Sequence, residues 1–533
     1  MITFIGSKKG YVHLLPGATI DSFLESESGR KADLPFTIQL DSFRIAYYPG
    51  TEAPADYISY ITYSLPGQKN VLLHEQISMN RIFTSQGFRF YQSSFDDDGK
   101  GSWLTVNYDP WGTGVTYAGY ILLGLSMIWL LFSRSSDFRR LLNHPLLKKG
   151  GVFILFIFCL AGNMQAQKKL LPALKRTQAD SLAQEQVIYH DRVVPFNTLA
   201  RDFIQKLTGE ASYKGLTPEQ VIGGWLLYPE VWRNEPLIYI KNTELQHLLN
   251  LQTPYARLTD LFDGSVYRLR EHWQREQGQQ NKLAKAIQET DEKVGLILML
   301  EKGTFIHPLP TDGSVQPLSE LEVKAELLYN RIPFSKILFM INLSLGVLSF
   351  LLLLHNSLQR NILSLKAKTI SRTAGTFFSV ALYLAFIFHL AGYCLRWYIG
   401  GRIPLSNGYE TMQCMALCIL LIACLLHRRF SFILPFGFLL SGFALLVSYL
   451  GQMNPQITPL MPVLVSPWLS IHVSLIMMSY ALLAFIMLNG ILALCLRKKE
   501  SENNVSGNDA IQDNRIEQLT LVSRLLLYPA TFF

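Results

Sequence analysis

The chain has 533 residues, of which 49% are hydrophobic and 17% charged, with a formal net charge of +8. Its length exceeds that of one soluble domain, and the low charged fraction indicates long apolar stretches. The basic residues gather in short segments beside those stretches, which is typical of membrane orientation signals, so no nucleic-acid partner is predicted.

The six cysteines form no C-x-x-C pair, so neither a disulfide framework nor a zinc site is predicted. Cys414 and Cys418 are spaced by one helical turn, which would suit a metal. The competing interpretation, two small apolar residues in a membrane helix, is the stronger one.

Apolar runs predict a polytopic α-helical membrane protein, since a crossing helix takes roughly 17–25 residues. A shorter run at 152–162 and an apolar terminal stretch at 519–533 bring the expected number of spans to about eight, the last one incomplete. The other runs lie near 114–132, 335–354, 375–395, 413–427, 432–450 and 471–496.

Lysine and arginine follow alternate runs, whereas 451–470 contains neither, and basic loops mark the cytoplasmic side. The alternation is consistent only when 152–162 also crosses; the alternative is that this run is a cleaved secretory signal. In both cases 1–112 and 163–334 are expected on the periplasmic side of the cytoplasmic (inner) membrane. Residues 1–30 lack an apolar core that could export them, so we expect a preceding segment.

Residues 1–112 predict an external β-rich domain. Alternating β-branched and aromatic residues predict strands at 36–47, 57–63, 88–95 and 102–108. The segment from Asp96 to Gly101 predicts a hairpin turn; a calcium loop is the weaker alternative because the EF-hand spacing is absent.

Residues 163–334 predict a second external domain, mixed but mainly helical. Thr217 followed by Pro218 predicts a helix start, 265–300 a charged helix, and 236–241 a short strand. Its histidines show no metal-ligand spacing and are interpreted as ordinary surface residues: His190, His247, His272 and His307.

Two histidines near the membrane are candidate ligands, because ionisable groups in spans are functional candidates by default. His472 follows Trp468 at the external mouth of a span, where a neutral imidazole can ligate haem iron. Capping of a helix by His472 is the alternative. His389 lies late in another span, where a helix–helix hydrogen bond is the alternative.

A long string after His389 resembles the pattern R-W-Y-x-x-G-x-x-P-x-S-N-G-Y-E of the CcsA/ResB family of cytochrome c biogenesis proteins. The string from Pro459 to Val473 resembles the family's entry to a haem-ligating histidine. The residues at 34–43 and 87–95 resemble the end of the ResB periplasmic domain. The matching motif residues are Arg396, Trp397, Tyr398, Pro404, Ser406, Asn407, Gly408, Tyr409, Glu410 and Trp468.

The resemblance implies a holocytochrome c synthase of the haem lyase type, which attaches haem to the C-x-x-C-H motif of apocytochrome c. It assigns His472 as a haem iron ligand and His389 as a weaker candidate, with haem b as the group handled and no other metal. It implies as partners apocytochrome c, a periplasmic thiol reductase and the bilayer. It identifies no catalytic residue.

The same resemblance divides the chain into four parts. Residues 1–112 are a partial ResB-like domain, and 113–162 hold two spans around a basic cytoplasmic loop. Residues 163–334 are a periplasmic insert, and 335–533 are a partial CcsA-like membrane domain.

One departure from the family concerns tryptophan. The eight tryptophans are dispersed, and the family's W-G-x-x-W-x-W-D loop is absent. We therefore expect a chain truncated at both ends that alone binds haem poorly and is inactive. The alternative functions are a haem or small-molecule transporter and a non-catalytic assembly factor.

Overall fold

A computed structural model describes most of the chain, and it divides into two compact units. The first unit contains the N-terminal region and everything from Pro333 onward; the second contains the region that ends at Ile332. The described residues are 8–26, 28–48, 53–65, 68–133, 136–142, 171–264, 266–270, 272, 281–311, 313, 315–358, 365–450, 453–500 and 509–532.

The first unit begins with an eight-stranded antiparallel sheet in the order β5-β4-β3-β2-β1-β8-β7-β6. The chain then continues into helices α1 (Gly112–Phe132) and α2 (Asp137–Leu142). The strands are β1 (Lys8–Leu14), β2 (Thr19–Glu25), β3 (Lys31–Tyr47), β4 (Pro54–Leu65), β5 (Gln68–Ile77), β6 (Phe83–Ser85), β7 (Phe88–Phe95) and β8 (Ser102–Tyr108).

Alternation of side chains explains the core of this sheet. Phe36, Ile38 and Leu40 are buried on β3, and Phe90 and Leu104 pack in the same cluster. Successive residues of a strand point to opposite faces, so every second residue enters the core. The four predicted strands are confirmed, within longer strands at β3 and β4.

The predicted hairpin turn at Asp96 is also confirmed. The amide of Asp96 donates to the carbonyl of Gly101 at 3.1 Å. The carboxylate of Asp96 accepts from Trp103 Nε1 and contacts His13 Nε2, each at 2.8 Å. The hydrogen bond with His13, followed by that from Trp103, holds the pKa of the Asp96 carboxyl below its ordinary value.

The second unit is mainly helical, as predicted. Its helices are α3 (Arg176–Leu182), α4 (Phe196–Thr208), α5 (Pro218–Leu227), α6 (Pro229–Trp232), α7 (Thr243–Leu248), α8 (Lys282–Glu301) and α9 (Glu320–Arg331). Its strands are β9 (Gln186–Tyr189), β10 (Arg192–Pro195), β11 (Ile238–Tyr239), β12 (Tyr255–Ala256), β13 (Phe262–Asp263), β14 (Val266–Tyr267) and β15 (His307–Pro308).

Local signals in this unit were predicted with mixed success. Thr217 caps α5 through a capping box with Gln220, as the sequence indicates. The strand predicted at 236–241 is confirmed but is only two residues long. The charged helix was predicted too early: Val266 and Tyr267 are in a strand, and α8 begins only at Lys282, after the cap Asn281.

A buried ion pair joins α9 to the rest of the second unit. Glu326 is only 2% exposed. It accepts hydrogen bonds from Arg192 Nη1 at 2.9 Å and Nη2 at 2.5 Å, and from Thr198 Oγ1 at 2.7 Å. Because burial of an unpaired charge is costly, the pair fixes the place of α9.

The remaining elements of the first unit are long apolar helices. They are α10 (Phe334–Leu358), α11 (Leu365–Gly400), α12 (Gly408–Leu426), α13 (Ile433–Leu450), α14 (Pro467–Glu500) and α15 (Asp509–Phe532). Six helices of the described chain are long and apolar enough to cross a membrane, namely α1 and α10 to α14.

The chain is thus a multi-pass membrane protein with a β-rich domain. The sequence predicts two further spans, at 152–162 and 519–533, which bring the expected number to about eight. The run at 152–162 lies outside the described residues. Residues 519–532 of the terminal stretch belong to α15, which packs against α14 through a hydrogen bond from Ser479 Oγ to the carbonyl of Ala530 at 2.7 Å.

Small residues let α10 and α13 approach closely. A Cβ atom on Gly346 would lie 2.8 Å from the backbone nitrogen of Leu439, and one on Gly442 would lie 2.9 Å from that of Leu343. Close backbone approach is a main source of helix association in lipid, where apolar burial between helices gives no driving force.

We predict that Glu326→Ala destabilises the second unit by about 3 kcal/mol, because it leaves the largely buried Arg192 side chain without its carboxylate. Hydrogen exchange of the α4 amides in the intact protein measures this effect. Glu320→Ala is the control, since Glu320 is exposed and pairs only with Lys324 on its own helix. Equal exchange in both variants would contradict the prediction.

Candidate functional site

A buried carboxylate, Glu410, lies between two arginines at the adjoining ends of α11 and α12. Glu410 is 1% exposed and Arg396 is 2% exposed. Glu410 Oε1 accepts from Arg396 Nε at 3.0 Å, and Oε2 accepts from Arg402 Nη1 at 3.0 Å. Ser406 adds hydrogen bonds to Oε2 from its amide and its hydroxyl, both at 2.8 Å. Both carboxylate oxygens are therefore satisfied, as burial of a charge requires.

The local sequence explains how Glu410 reaches this position. Asn407 caps α12, because its Oδ1 accepts from the amide of Glu410 at 2.9 Å. Gly401 has a positive φ of 62°, which glycine adopts without steric cost, and it turns the chain directly after α11. Pro404 is held within the turn by Tyr393, whose hydroxyl donates to the Pro404 carbonyl at 3.1 Å.

The motif lies mainly on helices rather than in the loop that the sequence predicts between spans. Helix α11 continues to Gly400, so Arg396, Trp397 and Tyr398 are in its last turns. Helix α12 begins at Gly408, so Tyr409 and Glu410 are in its first turn. The apolar runs end before the helices do, because the polar helix ends are stabilised by the charge cluster and not by lipid.

The two arginines also hold a segment between α13 and α14. Arg396 donates from Nη1 to the carbonyl of Pro455 at 2.7 Å and from Nη2 to that of Gln456 at 3.0 Å. Arg402 Nη2 donates to the carbonyl of Thr458 at 2.9 Å. We call Glu410, Arg396 and Arg402 the anchor cluster, because it fastens residues 455–458 to the ends of α11 and α12.

His472 lies in the second turn of α14, beyond the anchored segment. The helix begins at Pro467, four residues earlier than the predicted span, so Trp468 and His472 share one face at i and i+4. Trp468 is 79% exposed, and Ile471 and Leu475 extend the exposed face on the same side. His472 is exposed and makes no hydrogen bond to any residue that the structure describes. This face offers an imidazole within an apolar surface.

His389 has different surroundings. It is 2% exposed, and its Nε2 lies 3.1 Å from Gln413 Oε1. The Gln413 amide nitrogen donates to Ser335 Oγ at 2.9 Å, so Oε1 is left to accept from His389. Nδ1 of His389 has no partner among the described residues. This is the helix–helix hydrogen bond that the sequence left open as the alternative.

The polar network around His389 reaches the anchor cluster through Tyr409. The Tyr409 hydroxyl lies 2.6 Å from Ser335 Oγ, and the Arg396 guanidinium lies over the Tyr409 ring at 5.1 Å. The two groups of residues therefore form one connected polar region at the ends of α10, α11 and α12.

The structure brings together some of the predicted site residues and leaves others apart. Arg396, Ser406, Asn407, Tyr409 and Glu410 converge, whereas the Trp397 and Tyr398 side chains are exposed on α11. A Cβ atom on Gly408 would lie 3.3 Å from Met453 Sδ, so this glycine faces the anchored segment closely.

Sequence reasoning missed Arg402, Gln413 and Ser335. A signal for Arg402 was available, because it is a second arginine in an external segment with few charges. Gln413 and Ser335 carry no such signal, since single polar residues in apolar helices are common.

Two family models match the chain. The Cytochrome C assembly protein family matches residues 405–528, which include Glu410 and His472. The ResB-like family matches residues 1–146, which include the sheet and α1.

Individual relatives match over different lengths. Protein NrfI of Wolinella succinogenes is 31% identical over an alignment of 523 residues. The match covers 84% of this chain and 57% of that protein. Cytochrome c biogenesis protein CcsA of Chlamydomonas reinhardtii is 33% identical over 132 residues, 22% of this chain and 37% of its own length. CcsA of Mesostigma viride is 32% identical over 136 residues, 24% of this chain and 43% of its own. The chain thus spans less than two thirds of each of these relatives.

We predict that Glu410→Gln releases residues 455–458, because it leaves two arginines without the charge that offsets their burial, at a cost of about 3 kcal/mol or more. Hydrogen exchange of the amides from 453 to 466 should become faster. Thr411→Ala is the control, since the Thr411 hydroxyl donates only to the Gly408 carbonyl in its own helix. Unchanged exchange in Glu410→Gln would show that the cluster does not anchor the segment.

Proposed function

Because this chain belongs to the ResB/CcsA family of cytochrome c biogenesis proteins, we propose that it presents haem for covalent attachment to apocytochrome c, with His472 as a ligand of the haem iron. The observation that carries the proposal is the exposed face formed by Trp468, Ile471, His472 and Leu475 at the start of α14. A histidine that makes no competing hydrogen bond can offer a ring nitrogen to iron, and apolar neighbours suit the porphyrin.

The proposed chemistry is addition of thiols to vinyl groups. Each cysteine sulfur of the C-x-x-C-H motif forms a bond to a vinyl carbon of haem b, and the thiol hydrogen moves to the other carbon of that vinyl group. No external oxidant or reductant is consumed in this step. The chain's own contribution is to hold haem at a defined place, since proximity and orientation account for a large part of such rate increases.

The anchor cluster supports this role indirectly. It fixes residues 455–458, which precede the His472 helix, through three backbone carbonyls. Motif residues that do not touch haem would thereby still be required for its placement. His389 suits iron ligation less well than His472, because it is buried and its Nε2 is engaged with Gln413. We assign His389 to the same positioning network.

The proposed setting is the cytoplasmic (inner) membrane of a bacterium, with the sheet and the insert at 163–334 in the periplasm. Apocytochrome c would approach His472 from that side. Its two cysteines must be reduced to add to the vinyl groups, so a periplasmic thiol reductase is the expected second partner.

We predict that His472→Ala, introduced into the intact gene, abolishes haem attachment to c-type cytochromes, because an axial ligand is lost. Haem staining of the cytochromes after gel electrophoresis measures attachment, and immunoblotting checks that the variant accumulates.

His74→Ala is the matched control, since His74 is an exposed histidine of the sheet that bonds to Thr62 within its own domain. Staining should stay at the wild-type level in this variant. Wild-type staining in His472→Ala, at equal protein level, would refute the assignment of His472 as a ligand.

A further inference from the structure

A turn of the sheet domain touches the segment that leads to His472. Asn80, between β5 and β6, donates from Nδ2 to the carbonyl of Pro462 at 2.7 Å. The short 3₁₀ turn Pro462–Leu464 also lies against β4. The sheet and the segment therefore lie on the same side of the membrane helices.

The turn that carries Asn80 is braced. The amide of Ser78 donates to the carbonyl of Arg81 at 2.9 Å, and the amide of Arg81 donates back at 3.2 Å. Arg81 Nη2 also donates to Glu75 Oε1 at 2.6 Å. Two opposed backbone bonds close a two-residue loop, so Asn80 is presented from a fixed position on the sheet.

Pro462 lies between the anchor cluster and the His472 helix. The segment is held at Thr458 by Arg402, and α14 begins at Pro467. Eight residues lie between these points, with Pro462 near their middle, and a chain spans at most about 3.5 Å per residue. Proline at 462 and 467 restricts the backbone further. A contact at Pro462 therefore limits where the first turns of α14 can lie.

We propose that Asn80 is a positioning residue for the haem ligand: the sheet domain uses it to fix the start of the His472 helix. The inference rests on the proposed role of His472. It gives the ResB-like region a defined task in the CcsA-like region, which is to hold the ligand in place for the incoming apocytochrome.

The test compares two identical substitutions in the intact gene product. Asn80→Asp removes the donor and places a carboxylate against the Pro462 carbonyl. Asn107→Asp makes the same chemical change on β8, at a residue that lies between β1 and β7 within the sheet. Net loss of one hydrogen bond predicts about a two- to tenfold decrease in haem attachment for Asn80→Asp and none for Asn107→Asp.

A spectroscopic readout separates positioning from a general loss of structure. In Asn80→Asp, the absorption spectrum of the haem retained by the purified intact gene product should differ from the wild-type spectrum, at unchanged protein level. An unchanged spectrum and unchanged attachment would overturn the inference. If His472→Ala still abolished attachment, the proposed function would stand without it; if His472→Ala had no effect, the proposed function itself would fail.

Cross-linking tests the contact directly. A cysteine at Asn80 and one at the exposed Met461 should be joined by a short bismaleimide within one chain in membranes. Cysteines at Asn107 and Met461 are the control pair and should stay unlinked. Equal linking of both pairs would contradict a specific contact between this turn and the segment.

Discussion

The buried pairing of Glu410 with Arg396 and Arg402 is the interaction on which the proposed site depends. A carboxylate that is 1% exposed would be strongly destabilised if it were alone, and so would a guanidinium that is 2% exposed. Together they satisfy each other and leave guanidinium N–H groups for three backbone carbonyls. The same arginines that neutralise the buried carboxylate therefore also place the segment before α14.

Under the proposed function, this arrangement would let a polar motif support haem placement without contacting haem. Arginine has five donors in a rigid planar fork, so it can bind a carboxylate and backbone carbonyls at the same time. A lysine at 396 or 402 would keep the charge but could not reproduce these bonds. The sheet domain adds a further attachment through Asn80, so the segment before α14 is held by the sheet domain as well as by the membrane helices.

The sequence predicted the elements whose signal is local. Strands at 88–95 and 102–108 were found because their side chains alternate, and α5 was found because Thr217 and Pro218 mark a helix start. Strands β1, β2 and β5 were missed, since charged residues interrupt their alternation, and β6 was missed because it has only three residues. The ends of α11 and α12 were placed wrongly, because apolar runs report lipid contact, whereas the helices extend as far as their caps and ion pairs allow.

The candidate site was predicted in its members but not in its geometry. The motif identified Arg396 and Glu410, yet their pairing depends on two helix ends and a distant segment that meet only in the folded chain. His472 was predicted as a ligand from the resemblance of the string from Pro459 to Val473, because its place after Trp468 alone left helix capping as the alternative. His472 and Trp468 share a helix face because α14 begins at Pro467. The apolar run did not predict this start, since it begins only at 471.

The most direct test of the account is chemical rescue of the ligand. His472→Gly leaves space beside Trp468 into which free imidazole can enter. The account predicts that this variant of the intact gene product loses the wild-type haem spectrum and recovers it, with part of the haem attachment, when imidazole is added. An unchanged haem spectrum in His472→Gly without imidazole would contradict the assignment of His472 as the iron ligand.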